Sequence, residues 1–354
     1  MTIKDLIDEK AVEREGLLVV KGLLLLLPFV IAIVFYVRED PFKVLRSYDD
    51  YDHTCIFQNE GATAWYKYKK FRSRAHYDSF IMGNSCTMAF RADDWNKYIH
   101  GSSFRLFSNA ESVGDLYNKL AALDNQKDQP IRNVLIVLDR QLLRYGFVRT
   151  GFMHVMPPEV SHIGMLRYQM EYVQGFFNPQ FTLAYLGYAI THTYRPSMKG
   201  IINPNGCAHC GMSNDAVNPR EEQIRWQKER YWHDKEWQRL LSTRRSGKVY
   251  PRTIYSLQRS YLLKIKAICD KHHTNVKVVI NPGATLIRES LRDVRELRRI
   301  FGVENVFDFS GTNDLTMDYH NFYDNCHYRP MAGRKILQRI YAPQQSDTAR
   351  QAVR

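Results

Sequence analysis

The sequence predicts an α/β protein, a three-layer α/β/α domain with a mainly parallel sheet, preceded by one amino-terminal transmembrane helix. Continuous aliphatic runs at residues 133–138, 276–280 and 306–309 have the composition of strands buried on both faces. Between them, clearest at residues 253–272 and 286–301, apolar residues recur every three or four positions among Arg, Glu and Lys, the spacing of an amphipathic helix. Strands alternating with helices call for a parallel sheet covered on each face. Residues 17–37 are apolar apart from Lys21, a run of about 20 residues, the length a bilayer core requires.

Taken in order, residues 1–16 are a polar lead, expected on the cytoplasmic side, and residues 17–37 are the anchor. Lys21 sits near one end of the span, where its amine reaches the headgroups, and Pro28 is better tolerated in a membrane helix than in a soluble one. A buried core helix or a cleaved signal peptide fits the same pattern. No small-residue cleavage site follows Val37, however, where the chain reads Arg38-Glu39-Asp40, so an uncleaved single-pass anchor is expected. Its orientation is weakly specified: Lys4, Lys10, Arg14 and Lys21 barely outnumber Arg38, Lys43 and Arg46. Residues 38–78, rich in Tyr, Asp and Lys with little periodicity, read as a stalk. The α/β domain is expected over residues 79–341, opening with strands at 79–82 and 104–107 and a helix at 112–123.

Residues 168–248 break the alternation. An aromatic stretch leads into a Gly-, Asn- and Pro-rich one and then into a charged run carrying Trp226, Trp232 and Trp237. This reads as an insertion or lid over the carboxyl end of the sheet. Its aromatic residues suit ordinary helix packing, or a sugar-stacking or membrane-facing surface. Residues 342–354 read as a tail.

The net charge of +13 suits an acidic partner, such as nucleic acid, lipid headgroups or an acidic polymer. No zinc-finger, RNA-recognition or basic-zipper spacing is present, so no nucleic-acid partner is expected. Six cysteines are too few for a disulfide scaffold in 354 residues. Cys207-Ala208-His209-Cys210 has metal-type spacing without a second pair to complete four ligands; a local Cys207–Cys210 disulfide is expected, with free thiols or a metal as the alternatives. No metal and no cofactor are called for.

Two distant segments carry chemistry. Phe80-Ile81-Met82-Gly83-Asn84-Ser85 is an apolar run ending in a turn, which presents the Ser85 hydroxyl at the carboxyl end of a strand, where open α/β sheets bind ligands. Asp324-Asn325-Cys326-His327 places a carboxylate three residues before an imidazole, so Asp324 can orient His327 while His327 takes the serine proton. His320 and Asp318, nearby, are read as loop residues. Cys86 and Cys326 each adjoin a member of this triad and form a second candidate disulfide.

Together these blocks resemble the SGNH/GDSL hydrolase superfamily, with its Gly-Asp-Ser or Gly-Asn-Ser nucleophile block and terminal Asp-x-x-His. Val306-Phe307-Asp308-Phe309-Ser310-Gly311 and Tyr323-Asp324-Asn325-Cys326-His327-Tyr328-Arg329-Pro330 look like the membrane-anchored branch that holds the D-alanyl transfer protein of teichoic-acid modification and the alginate O-acetylation proteins. The resemblance implies acyl transfer from Ser85 to a cell-envelope glycan or polyol polymer. It also implies a catalytic domain outside the cytoplasm and a membrane-bound O-acyltransferase as partner. An esterase with water as acceptor, and a non-catalytic glycan-binding protein on the same fold, are the competing readings. Superfamily members draw oxyanion donors from two further blocks. Gly114 or Asn109 can fill the first; in place of the second stands Asp139-Arg140, where a carboxylate cannot donate but Arg140 can, unless the hole rests on backbone N–H groups of Ser85 and its neighbours.

Overall fold

The computed structural model describes residues 3–342, and their side chains from Leu17 onward. The expected tail therefore lies outside the described residues, apart from Ala342. Two compact units divide at Asp49/Asp50. In the first, a single helix, Ile3–Glu39, runs through lead and anchor alike. Its part Leu17–Glu39 is long and apolar enough to cross a membrane, as a signal sequence also would be. The helix stops at Asp40, whose carboxylate accepts the N–H groups of Val44 and Leu45 at 3.0 Å each.

The second unit is built on a sheet of five parallel strands. β1 (Ser79–Gly83), β2 (Ser103–Phe107), β3 (Asn133–Leu138), β6 (Asn275–Ile280) and β7 (Val306–Asp308) are ordered β2-β1-β3-β6-β7. All four pairings are parallel, with Gly83 opposite both Phe107 and Val137. Between β3 and β6 the chain adds a two-stranded antiparallel ribbon, β4 (His209–Cys210) with β5 (Asp215–Ala216).

Alternation along the strands feeds two apolar clusters, one on each face of the sheet. Phe80, Met82, Val134, Ile136 and Val278 pack with the helices Glu60–Ala75, Val113–Asp124, Ser256–Lys271 and Leu291–Phe301. Ile81, Leu135, Val137 and Val279 pack with the turn Ser85–Ala89 and the helices Ala92–Ile99 and Pro330–Tyr341. Edge strand β2 is covered by the loop after β4: Arg105 N–H donates to the Ser213 carbonyl, and the Asn214 amide donates to the Arg105 carbonyl, both at 2.9 Å. An edge so paired cannot template another chain.

Two expectations change. The stalk is shorter than the sequence suggests, because the helix Glu60–Ala75 belongs to the domain and buries Ala64, Trp65 and Tyr68 completely. Its first half is buried nearly all round, Lys67 included, while the Lys- and Arg-rich sequence reads as a solvated segment. The helix expected at 286–301 begins only at Leu291. Leu286 has φ of +64° and Arg288 pairs with Val249, so the intervening residues form a loop that extends to the sheet's carboxyl end.

The insertion also does not act as one lid. Its first half is a hairpin of helices, Met165–Phe176 and Pro179–Thr191, seated near Asn59 through the Asn59 amide, which donates to the Tyr172 hydroxyl at 3.0 Å and the Val155 carbonyl at 2.7 Å. Its last part, from the helix Pro219–Gln227 onward, packs on the loop that carries Asp324 and His327.

Candidate active site

Strand order reverses beside β1, with β2 on one side and β3 on the other, and the crevice outside the carboxyl ends of such a pair is where open α/β sheets place ligands. Gly83 ends β1 with φ of +140°, and a Cβ there would collide with the Val137 carbonyl oxygen, so only glycine turns here. Asn84 then shapes the turn that carries Ser85. Its Oδ1 accepts the Cys86 N–H at 3.0 Å, its carbonyl accepts the Thr87 hydroxyl at 2.8 Å, and its amide donates to Asp139 Oδ2, just past β3, at 2.6 Å. Ser85 is left at the mouth of the crevice.

The other half of the site comes from residues 323–328. Tyr323 N–H donates to the His327 carbonyl at 2.8 Å and Phe322 pairs with Tyr328, closing a tight loop. Within it Asp324 Oδ1 accepts the N–H groups of Cys326 and His327 at 3.0 and 2.8 Å, while His327 Nδ1 meets Asp324 Oδ2 at 2.8 Å. With Nδ1–H donating to Asp324, Nε2 is the acceptor, and the Ser85 hydroxyl lies 2.8 Å from it across 242 residues of sequence. The structure thus brings together all three expected triad residues in hydrogen-bond contact.

One close approach holds the two halves in register. The helix Pro330–Tyr341, which follows the His327 loop, presses Gly333 on the Ala89 carbonyl at the end of the turn Ser85–Ala89, and a Cβ at 333 would collide with it.

Electrostatics act on the same groups. Burial pushes the Asp324 carboxyl up, but the His327 ring and the backbone N–H groups outweigh it and hold the group well below the usual carboxylate range. Burial pushes the His327 imidazole down, while the hydrogen bond to Asp324, the contact with the Cys326 sulfur and the negative charge of both groups raise it above its ordinary value. Arg220 Nη1 sits 2.6 Å from Asp324 Oδ2, a cation sharing that carboxylate. Next to it Glu221 takes a two-pronged contact from Arg329, at 2.7 and 2.9 Å, and accepts the Tyr323 hydroxyl at 2.7 Å. Neither Arg220 nor Glu221 carries a sequence signal, because they reach the site only through the fold of the insertion.

The oxyanion candidates fare differently. Gly114 is not brought to the triad: a Cβ on it would face the Gly146 carbonyl and the Tyr261 ring. Asn109 follows Ser108, whose N–H donates to the Gly83 carbonyl at 3.2 Å, but its side chain is turned to Glu60. Arg140 is held by the Pro251 carbonyl at 2.9 Å and lies over the Tyr250 ring at 4.6 Å. It lines a cavity of about 390 Å³ that also reaches Asp139, Asn281 and Cys326. Sequence reading missed Asn281, which follows β6. Its Oδ1 accepts the Tyr328 hydroxyl at 2.7 Å, and its Nδ2 is buried with no partner among the described residues. The Ser85 N–H is likewise not engaged by another described residue. On the other side of the Asp324 loop a second cavity, of about 500 Å³, is lined by Arg220, Trp237 and Tyr323, and Asn325 borders both.

Neither expected disulfide is present. Cys207 and Cys210 are free thiols; the Cys207 thiol donates to the His209 carbonyl at 3.1 Å and Cys210 faces outward beside buried His209. Cys86 and Cys326 are unbridged as well, with the Cys86 thiol directed at the Cys326 carbonyl at 3.7 Å and the Cys326 sulfur 3.6 Å from His327 Nδ1. His320 bonds Asp318 and Glu229 in a neighbouring turn, as loop residues do. Asp324, Cys326 and His327 offer ligand atoms within 4.8 Å of one another, so this trio could hold a metal ion. A cation there would have to displace the Nδ1 proton shared with Asp324.

No family model matches the chain, and no curated protein does either.

Proposed function

We propose that this protein is a membrane-anchored serine acyltransferase with a three-layer SGNH-like fold, and that it acts on a cell-envelope polysaccharide or polyol polymer. The observation that carries the reading is the Ser85–His327–Asp324 relay, with contacts of 2.8 and 2.8 Å at the carboxyl end of a parallel sheet. In the proposed reaction Ser85 Oγ attacks an acyl carbonyl while His327 Nε2 takes its proton. The tetrahedral adduct collapses, His327 returns the proton to the departing oxygen or sulfur, and an acyl-Ser85 ester remains. An acceptor hydroxyl then attacks that ester by the same route. Developing negative charge on the carbonyl oxygen would be met by the Ser85 N–H and a second donor, for which the orphaned Asn281 amide is a better candidate than Gly114.

The apolar helix Leu17–Glu39, read as an uncleaved span with the domain outside the cytoplasm, would hold the protein at one surface with a membrane-bound O-acyltransferase that supplies the acyl group. With water as acceptor the same site would be an esterase.

Labelling by a fluorophosphonate probe and hydrolysis of an acetyl ester test the reading. Both should depend on Ser85 and be lost in Ser85→Ala. A folded wild-type chain inert to both favours a glycan-binding role instead. Supplying an acyl donor together with candidate oligosaccharides separates transfer from hydrolysis, because free acid as the sole product would rule out transfer.

A further inference from the structure

The helical hairpin of the insertion plays no part in the site, yet its composition is unusual for this chain. Residues 172–194 contain no Asp, Glu, Lys or Arg in a sequence that is 25% charged. One side of the hairpin is spent on packing, through buried Tyr168, Phe176 and Phe181. The other side is apolar too. Leu183 and Ile190, seven residues apart and so on one face of the helix Pro179–Thr191, are 74% and 79% exposed, and Leu166 on the helix Met165–Phe176 is 79% exposed. A helix apolar all round belongs in a core or in lipid, and uncovered apolar surface of this kind marks an interaction site.

Charge selects the occupant. Arg167, Arg195 and Lys199 lie just outside the uncharged stretch, all three are exposed, and none forms an ion pair among the described residues; the one acidic residue beside them, Glu171, is half-buried and accepts the Gly151 N–H at 3.0 Å. Basic residues beside an apolar helix face are what an anionic lipid surface recognises. We propose that this hairpin lies in the surface of an anionic bilayer, with Leu166, Leu183 and Ile190 at the acyl boundary and the three cations at the headgroups. The proposal rests on reading Leu17–Glu39 as a span, since the short connection from Glu39 then holds Asp50 within about 40 Å of the bilayer. The hairpin would orient the domain on the membrane, so that the site meets lipid-borne donors in a constant pose.

The test uses the full chain in protein-free vesicles of phosphatidylcholine and phosphatidylglycerol, with a protease recognition sequence inserted within residues 41–49. Carbonate extraction of the uncut chain would sink the span reading alone; the hairpin is read after cutting, by flotation. The freed domain is expected to stay with the vesicles, and the L166S/L183S/I190S variant to fall to about one tenth of that retention or less. Charge reversal, R167E/R195E, leaves the apolar faces intact and serves if the triple variant misfolds; it should remove the dependence on phosphatidylglycerol. Release of the wild-type domain at the cut overturns the proposal, as does retention of both variants at the wild-type level. Retention on native membranes but not on protein-free vesicles also overturns it, because a protein would then cover the hairpin.

Discussion

Gly333 offers a direct test of how the two halves of the site are held together. Gly333→Ala places a methyl group against the Ala89 carbonyl, where no room exists. Such a contact needs about 3.5 Å, so the helix Pro330–Tyr341 and the turn Ser85–Ala89 must part by roughly 1.5 Å. That displacement feeds straight into the contact proposed to be catalytic, since Ser85 opens the turn and His327 lies three residues before the helix. A Ser85–His327 separation of 2.8 Å lengthened by that amount is no longer a hydrogen bond. A misplacement of about 1 Å costs on the order of 10²-fold in rate, and overpacking costs about 1–3 kcal/mol in stability. Ester hydrolysis, fluorophosphonate labelling and urea unfolding should be measured on Gly333→Ala and on Lys335→Ala, an exposed control on the same helix. Wild-type turnover and stability in Gly333→Ala would refute the idea that this contact sets the register of the triad.

Because the His327 imidazole is raised above its ordinary value near 6.5, the acid limb of kcat/KM against pH should lie above that value. Arg220→Ala removes a cation that opposes a charged imidazole, so it should move the limb further up; a downward shift would contradict the role given to Arg220. Asp324→Asn should lower kcat by about 10⁴ while leaving the fold intact, as checked by turnover and thermal unfolding. Asn281→Asp keeps the acceptor for the Tyr328 hydroxyl but removes the Nδ2 donor, and should lower kcat about 10²–10³-fold with little change in KM. An unchanged kcat would remove Asn281 from the oxyanion site. Lys119 and Glu111 form a fully buried ion pair at 2.7 Å, so Lys119→Met should cost about 3–5 kcal/mol in urea unfolding, and the double variant with Glu111→Gln distinctly less.

Much of this architecture is legible in the chain because parallel strands covered on both faces need unbroken aliphatic runs. β3 is expected at residues 133–138 and found at Asn133–Leu138. The triad is legible because half of it is local, Asp324 and His327 lying three residues apart in one tight loop. The helix Glu60–Ala75 is masked by a run of Lys and Arg, of which Lys67 is nonetheless buried, and the loop at residues 286–290 by apolar side chains that imitate helical periodicity.

What the sequence determined by itself was the material of each element: which segments had to be buried, where a serine could leave a strand, and which carboxylate could hold which imidazole. Tertiary structure alone decided the company those residues keep. It turned Gly114 into a packing residue, left Cys86 and Cys326 unbridged, set Arg220 on Asp324, and left the buried Asn281 amide beside Tyr328 without a partner among the described residues. The physical reason is range. Burial periodicity and turn chemistry act over a few residues, whereas the contact between Ser85 and His327 spans 242, and only the packing of the sheet and of Gly333 on Ala89 closes that distance.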